Sequence, residues 1–170
     1  KDGSEIWRVH YDGYSVIPQP IFGHGLIFIC TGYEKPTVIA IRADGHGDLT
    51  QSHVAWTVTD SAPHTPSLLL VGDELFMVSD SGIASCLDAK TGAQIWKKRL
   101  GGNFSASPLY ADGVIYFQSE DGVTSLVKAS KAYELIGSNT VDEPTLASMA
   151  AGEHKLFLRT EKHLYCLEEK

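Results

Sequence analysis

Three cysteines in 170 residues, no apolar run of bilayer length and no excess of basic charge remove several classes of protein at the outset. A membrane-crossing helix needs about 18 or more consecutive apolar residues, and none occurs. Cys30, Cys86 and Cys166 lie far apart, each at or within an apolar run, so they read as small buried hydrophobes and not as a disulfide or C-x-x-C framework. With 14 Lys and Arg against 21 Asp and Glu the net charge is −7, which offers no basic stripe to nucleic acid. The seven histidines are scattered without an H-E-x-x-H pair, so zinc has no support. No serine carries a G-x-S-x-G elbow, and Gly23-His24-Gly25 precedes a strand-like run instead of a helix, which excludes the hydrolase and phosphate-loop readings. Asp44-Gly45-His46-Gly47-Asp48 alternates oxygen ligands with glycine but lacks the later bidentate glutamate of a dedicated calcium loop; a solvated turn is expected. No metal or cofactor ligand set emerges.

Amphipathic segments of 3.6-residue period are missing as well, and what stands in their place is a repeat. TPSLLLVGDELFMVSDSGIASCLDAKTGAQIWKKRLGG is followed by SPLYADGVIYFQSEDGVTSLVKASKAYELIGSN, with Leu75-Phe76-Met77 falling on Ile115-Tyr116-Phe117 at an offset of 40. A period near 40 built from four short strands is the signature of a β-propeller blade. The 16 glycines and seven prolines are spread along the chain, as many tight turns require. The fold class expected is therefore all-β, with antiparallel four-stranded blades over 17–59, 67–100, 106–137 and 145–167, and with 5–9 as a ring-closing outer strand. All 170 residues form one partial propeller domain.

Particular positions follow from that register. Pro20, Pro66, Pro108 and Pro144 stand at the start of innermost strands, where a missing N–H costs no ladder bond. Ile27-Phe28, Leu75-Phe76, Ile115-Tyr116 and Leu156-Phe157 fill second strands covered on both faces. Asp73, Asp112 and Glu153 sit beside glycine in the first hairpin, where they serve as turn residues. Trp7, Trp56 and Trp96 share one register in the outer strand, with Leu135 in that place in blade three, and are expected to dock adjacent blades.

Asp88-Ala89-Lys90-Thr91-Gly92-Ala93-Gln94-Ile95-Trp96, followed by Gly101, resembles the repeat of the pyrroloquinoline-quinone-like propeller family, A-x-D-x-x-T-G-x-x-x-W with a later glycine. Cys86 replaces the usual alanine. The match is partial at Lys1 to Trp7 and degenerate in the other blades. The resemblance implies a ring of seven or eight blades, of which this chain has material for four. It also implies either a quinoprotein dehydrogenase or a non-enzymatic propeller of the cell envelope, resembling the lipoprotein branch that serves outer-membrane assembly. A periplasmic or secreted location is implied in the same way, and KDGSEIW, which is neither a signal peptide nor a methionine start, suits a piece of a longer precursor. The enzyme branch implies a quinone held between a tryptophan and a disulfide of adjacent cysteines, with calcium beside it; no two cysteines are adjacent here. That site would have to lie outside this segment.

The favoured expectation is a non-catalytic binding or scaffold module with a protein or peptide partner, since propellers present loops from every blade on one face. If the loops joining strands two to three and four to one share that face, it gathers Asp12, Glu34, Asp60, Asp80, Glu120, Asp121, Asp142, Glu143 and Glu161 against Lys35 and Lys162. Asp80, Glu120, Asp121, Asp142 and Glu143 are the candidate partner-binding residues, suited to a cationic or amide-rich partner. The mismatched ends, one strand before the first blade and three in the last, suggest a homodimer in which two half rings close each other.

Overall fold

The computed structural model describes residues 2–168. After β1 (Trp7–Arg8), blade one holds β2 (Ile21–Gly23), β3 (Leu26–Cys30), β4 (Val38–Arg42), a loop carrying β5 (Gly47–Asp48), and β6 (Val54–Val58). Blade two holds β7 (Leu69–Val71), β8 (Glu74–Val78), β9 (Ile83–Asp88) and β10 (Gln94–Arg99). Blade three holds β11 (Leu109–Ala111), β12 (Val114–Gln118), β13 (Val123–Lys128) and β14 (Leu135–Thr140), and blade four holds β15 (Ala150–Gly152), β16 (Lys155–Arg159) and β17 (Leu164–Glu168). Each blade is an antiparallel meander in chain order, and no helix occurs among the described residues. The all-β propeller architecture expected from the period is the one observed.

Local chemistry explains the meander. In the first hairpin of blade three, Asp112 and Gly113 have φ of 48° and 81°, the paired left-handed conformation of a two-residue turn whose twist matches the strands it joins. Second strands such as LIFIC, and ELFMV after its first residue Glu74, are continuously apolar because neighbouring blades cover both faces. Alternation then assigns the faces. Leu26, Phe28, Cys30, Val38 and Ala40 of blade one pack on Leu75, Met77, Leu87 and Ala89 of blade two. The opposite face of blade two, with Phe76, Val78, Ala84, Cys86 and Trp96, packs on Phe104 of the linker and on Ile115, Phe117 and Val127 of blade three. Phe28, Phe76, Leu75 and Met77 are wholly buried, each contributing on the order of 2 kcal/mol through removal from water.

Every complete blade carries the same bulge in its outer strand. Ala40 pairs with Trp56 and Ile41 with Val54; Cys86 pairs with Trp96 and Leu87 with Gln94; Leu126 pairs with Gly137 and Val127 with Leu135. The residue that occupies the tryptophan register of blade three is therefore Gly137, and Leu135 lies two positions earlier. The bulge (extra residue Ala55, Ile95 or Ile136) is shared by all three blades and shifts none against another; blade three differs in the turn before its outer strand, which is one residue longer, Val127 to Leu135 against Leu87 to Gln94.

The innermost strands start later than the blade bounds of 17 and 145: pairing covers only Ile21–Gly23 and Ala150–Gly152. Pro20 and Pro108 directly precede their strands, but Pro66 and Pro144 lie in the linkers upstream. Backbone there is committed elsewhere: Glu161 N–H donates to Pro144 O and Thr145 N–H to Glu120 O. Just before the inner strands the blades are tied together in series. Gln19 N–H donates to Ser67 Oγ at 3.0 Å, Ser67 N–H to Ser107 Oγ at 3.0 Å, and Ser107 N–H to Ser148 Oγ at 2.9 Å.

Residues 5–9, expected as a ring-closing outer strand, supply β1, which pairs in parallel with β5. Blade one's long loop makes this possible, because Gly47 N–H and Leu49 N–H reach Ile6 O and Arg8 O. The 44–48 segment is thus a short bridge and not only a solvated turn. Among the described residues β17 has no fourth strand beside it.

Candidate functional site

The outer-strand tryptophans sit between blades. Trp56 lies 5.7 Å from Phe28 between ring centroids and donates its indole N–H to Ala89 O of blade two at 3.2 Å. Trp96 lies 6.0 Å from Phe76, meets Tyr133 edge-on at 5.2 Å, and donates to Ser130 O of blade three at 3.1 Å. Trp7, half-buried, stands opposite Gly47 on β1. The turn that receives Trp56 is the one containing Asp88-Ala89-Lys90-Thr91-Gly92. Asp88 Oδ1 accepts from Lys90 N–H, Thr91 N–H and Thr91 Oγ1, and the Thr91 hydroxyl holds the Asp88 carboxyl below the usual range. Gly92 has φ +73°, and a Cβ there would come within 2.7 Å of the Trp56 ring. The family motif is thus a receptor for the preceding blade's indole.

The third interface lacks its indole. Tyr116, Leu126, Leu156 and Leu167 face one another across a cleft of about 890 Å³ between blades three and four, rimmed by Asp112, Asn139, His154, Lys155 and Glu168. Leu167 is 43% exposed, while its register equivalent in blade two, Leu87, is 1% exposed. Nothing lies within 4 Å of where a Gly137 side chain would begin. On the same face as Tyr116, the Gln118 amide is 1% exposed, and neither Nε2 nor Oε1 has a hydrogen-bond partner among the described residues. Counting from the sequence missed this cleft. Its signal was the glycine in IGSN, legible only once the longer turn before β14 is placed.

The five acidic candidates separate into two groups. Asp80 accepts from the backbone N–H of His64 at 2.7 Å and of Thr65 at 3.2 Å. Glu120, at the equivalent position one blade later, accepts from Ser105 Oγ at 2.5 Å. Glu143 accepts from Thr160 Oγ1 at 2.5 Å and lies 2.6 Å from His163 Nδ1; the Thr160 hydroxyl first, and His163 second, hold its carboxyl below the usual range. These three brace linkers between blades. Asp121 and Asp142 are exposed and belong to the same loop region, since Val141 N–H donates to Gly122 O.

No group of three or more His, Cys, Asp or Glu able to hold a metal ion occurs among the described residues. Burial pushes the Cys30 and Cys86 thiols up to about 12, so neither supplies a thiolate at neutral pH. The residues do not fit a quinone sandwich: Cys30 and Cys86 lie in the cores of different blades, and the Trp56 and Trp96 indoles are engaged with neighbouring blades.

Repeated meanders joined by indole docking define a β-propeller segment. The chain belongs to the family of outer membrane protein assembly factor BamB, whose model matches residues 1–135. No curated protein matches the sequence. Among solved structures the chain is similar to BamB from Moraxella catarrhalis (TM-score 0.66, 12% identity, 88% of this chain and 41% of that one). It is also similar to quinohemoprotein alcohol dehydrogenase ADHIIG from Pseudomonas putida HK5 (TM-score 0.73, 12% identity, 91% and 30%). The computationally designed Ika4 protein matches at TM-score 0.75 and 9% identity over 98% of both chains. The chain spans less than half the length of the two natural proteins.

Proposed function

We propose that this chain is a non-catalytic scaffold segment of the bacterial cell envelope that holds a protein or peptide partner during outer-membrane protein assembly. Membership of the assembly-factor family over residues 1–135 carries the proposal. The partner-facing surface centres on Asp121 and Asp142, which are exposed, while Asp80, Glu120 and Glu143 brace the loops from beneath. Two carboxylates on a chain of net charge −7 favour a cationic partner through long-range attraction that salt screens. The test is the rate at which a β-barrel outer-membrane protein folds into its reconstituted assembly machinery, with and without this protein. Acceleration that is lost in Asp121→Asn/Asp142→Asn supports the proposal; no acceleration by the wild type rejects it.

A second copy of the chain is part of the same proposal. Phe157 and Leu164, on the open face of blade four, are 37% and 72% exposed, whereas Phe76 and Ala84 at the same register in blade two are 0%. A second half ring would cover that face. Light scattering checks it: a particle of twice 18.5 kDa is expected, and a monomer at high concentration removes the dimer.

A further inference from the structure

We propose that the cleft between blades three and four receives a tryptophan side chain presented by a peptide segment of the protein partner. At two interfaces the same register position holds this chain's own indole, and in each case the ring packs beside an aromatic of the second strand, Phe28 or Phe76. At the third interface the corresponding aromatic is Tyr116, and Gly137 stands where the indole would be. The strand positions of the wall are kept, while the turn that takes the indole N–H at the other two interfaces, at Ala89 and Ser130, has its counterpart outside the described residues. Leu126 is opposite Gly137 and lines the cleft, as does Asn139 two residues further along the same face of β14. An arriving indole would therefore lie over Tyr116 and Leu126 and against Leu156, in a place the fold already uses for that ring.

The size of the cleft selects a peptide over a free ring. A tryptophan residue fills on the order of 230 Å³, so a space of about 890 Å³ also admits its flanking residues, and the polar rim (Asp112, Asn139, Lys155) can meet their backbone. Aromatic anchors seated in a pocket with a polar rim are the usual carriers of binding energy in protein interfaces. The inference rests on the proposed protein partner but assigns a surface separate from Asp121 and Asp142.

The experiment is isothermal titration of the wild-type protein with acetyl-Ser-Trp-Ser-amide, with the alanine-centred peptide and with indole. Binding of the tryptophan peptide, with the alanine peptide at least about tenfold weaker, is expected. Gly137→Trp places a resident indole in the cleft and should abolish that binding; its φ is not left-handed and its side-chain direction is open, so the substitution is compatible with the backbone. Gly137→Leu is the second filler, expected to weaken binding to a smaller degree. Equal affinity for indole and peptide overturns the peptide occupant, and unaltered peptide binding in folded Gly137→Trp overturns the site. Absent peptide binding alongside normal assembly acceleration rejects this inference alone. Absent acceleration with intact peptide binding rejects the assembly role and leaves the cleft standing.

Discussion

The interface between blades two and three and the one between blades three and four are built from the same repeat, yet one is a closed core and the other a cleft. In the first, Phe76, Cys86, Ile115 and Phe117 are wholly buried around Trp96. In the second, Tyr116, Leu126 and Leu156 are half-exposed around Gly137. The three described strands of blade four pair as regularly as their counterparts in blade two, and the two interfaces differ in the fourth strand, which blade four does not show among the described residues, and in the ring between the sheets. The ring is the side-chain difference that bridges the two sheets. Without one, aliphatic side chains facing each other do not span the gap.

The most damaging way to erase this difference is to open the closed interface. Trp96→Ala removes a ring that is 7% exposed together with its bond to Ser130 O, and should cost about 3–5 kcal/mol in urea unfolding. A loss below about 1 kcal/mol would mean that the indole is not what closes the core. Gly92→Ala attacks the receptor instead of the ring. It forces a left-handed φ on alanine and drives Cβ into Trp56, for an expected loss of about 2 kcal/mol that the double variant with Trp56→Ala should partly relieve. Additive losses in that cycle would show that the clash contributes nothing. Ser107→Ala tests the hub, where it deletes the acceptor for Ser67 N–H; about 1 kcal/mol is expected from one lost hydrogen bond. Smallest is the pH effect at the motif turn. Because Thr91 lowers the Asp88 pKa in the folded state, Asp88 contributes stability above its unfolded value near 3.8, and that contribution fades as pH falls through the folded value. Asp88→Asn should therefore be less stable than wild type at about pH 6, and the gap should narrow as pH falls below the unfolded value near 3.8. A gap that stays constant into acid would detach the turn from that carboxylate.

The period, the strand runs and the buried second strands were legible because they depend on apolar patterning, which a sequence displays directly. Phe28, Phe76 and Leu75 need no structure to be placed in a core. The outer-strand register was harder. The tryptophan position of blade three falls at Gly137 and not at Leu135: the turn before β14 is one residue longer than the turn before β10, and a repeat without its motif residues does not mark the insertion. The acidic loops were legible as acids but not in their roles. Asp80 and Glu120 bind linker groups 15 and 16 residues away, a partnership fixed by how blades close on their own linkers. The serines Ser67, Ser107 and Ser148 repeat with the period as plainly as the tryptophans do. They were passed over because a serine beside a strand is ordinary until its neighbour's N–H is seen to reach it.

That chain of serines makes the inner end of each blade a pivot. Ser107 and Ser148 hold blades three and four at 2.9 Å, while the rim between the same two blades has no bridging ring. Three strand spacings separate the inner strand of a blade from its outer one, about 14 Å. A rotation of about 5° about the pinned end therefore shifts the outer strand by about 1 Å, with almost no change at the hub. The two blades form a lever, with its fulcrum at the serine ties and its jaws at the rim.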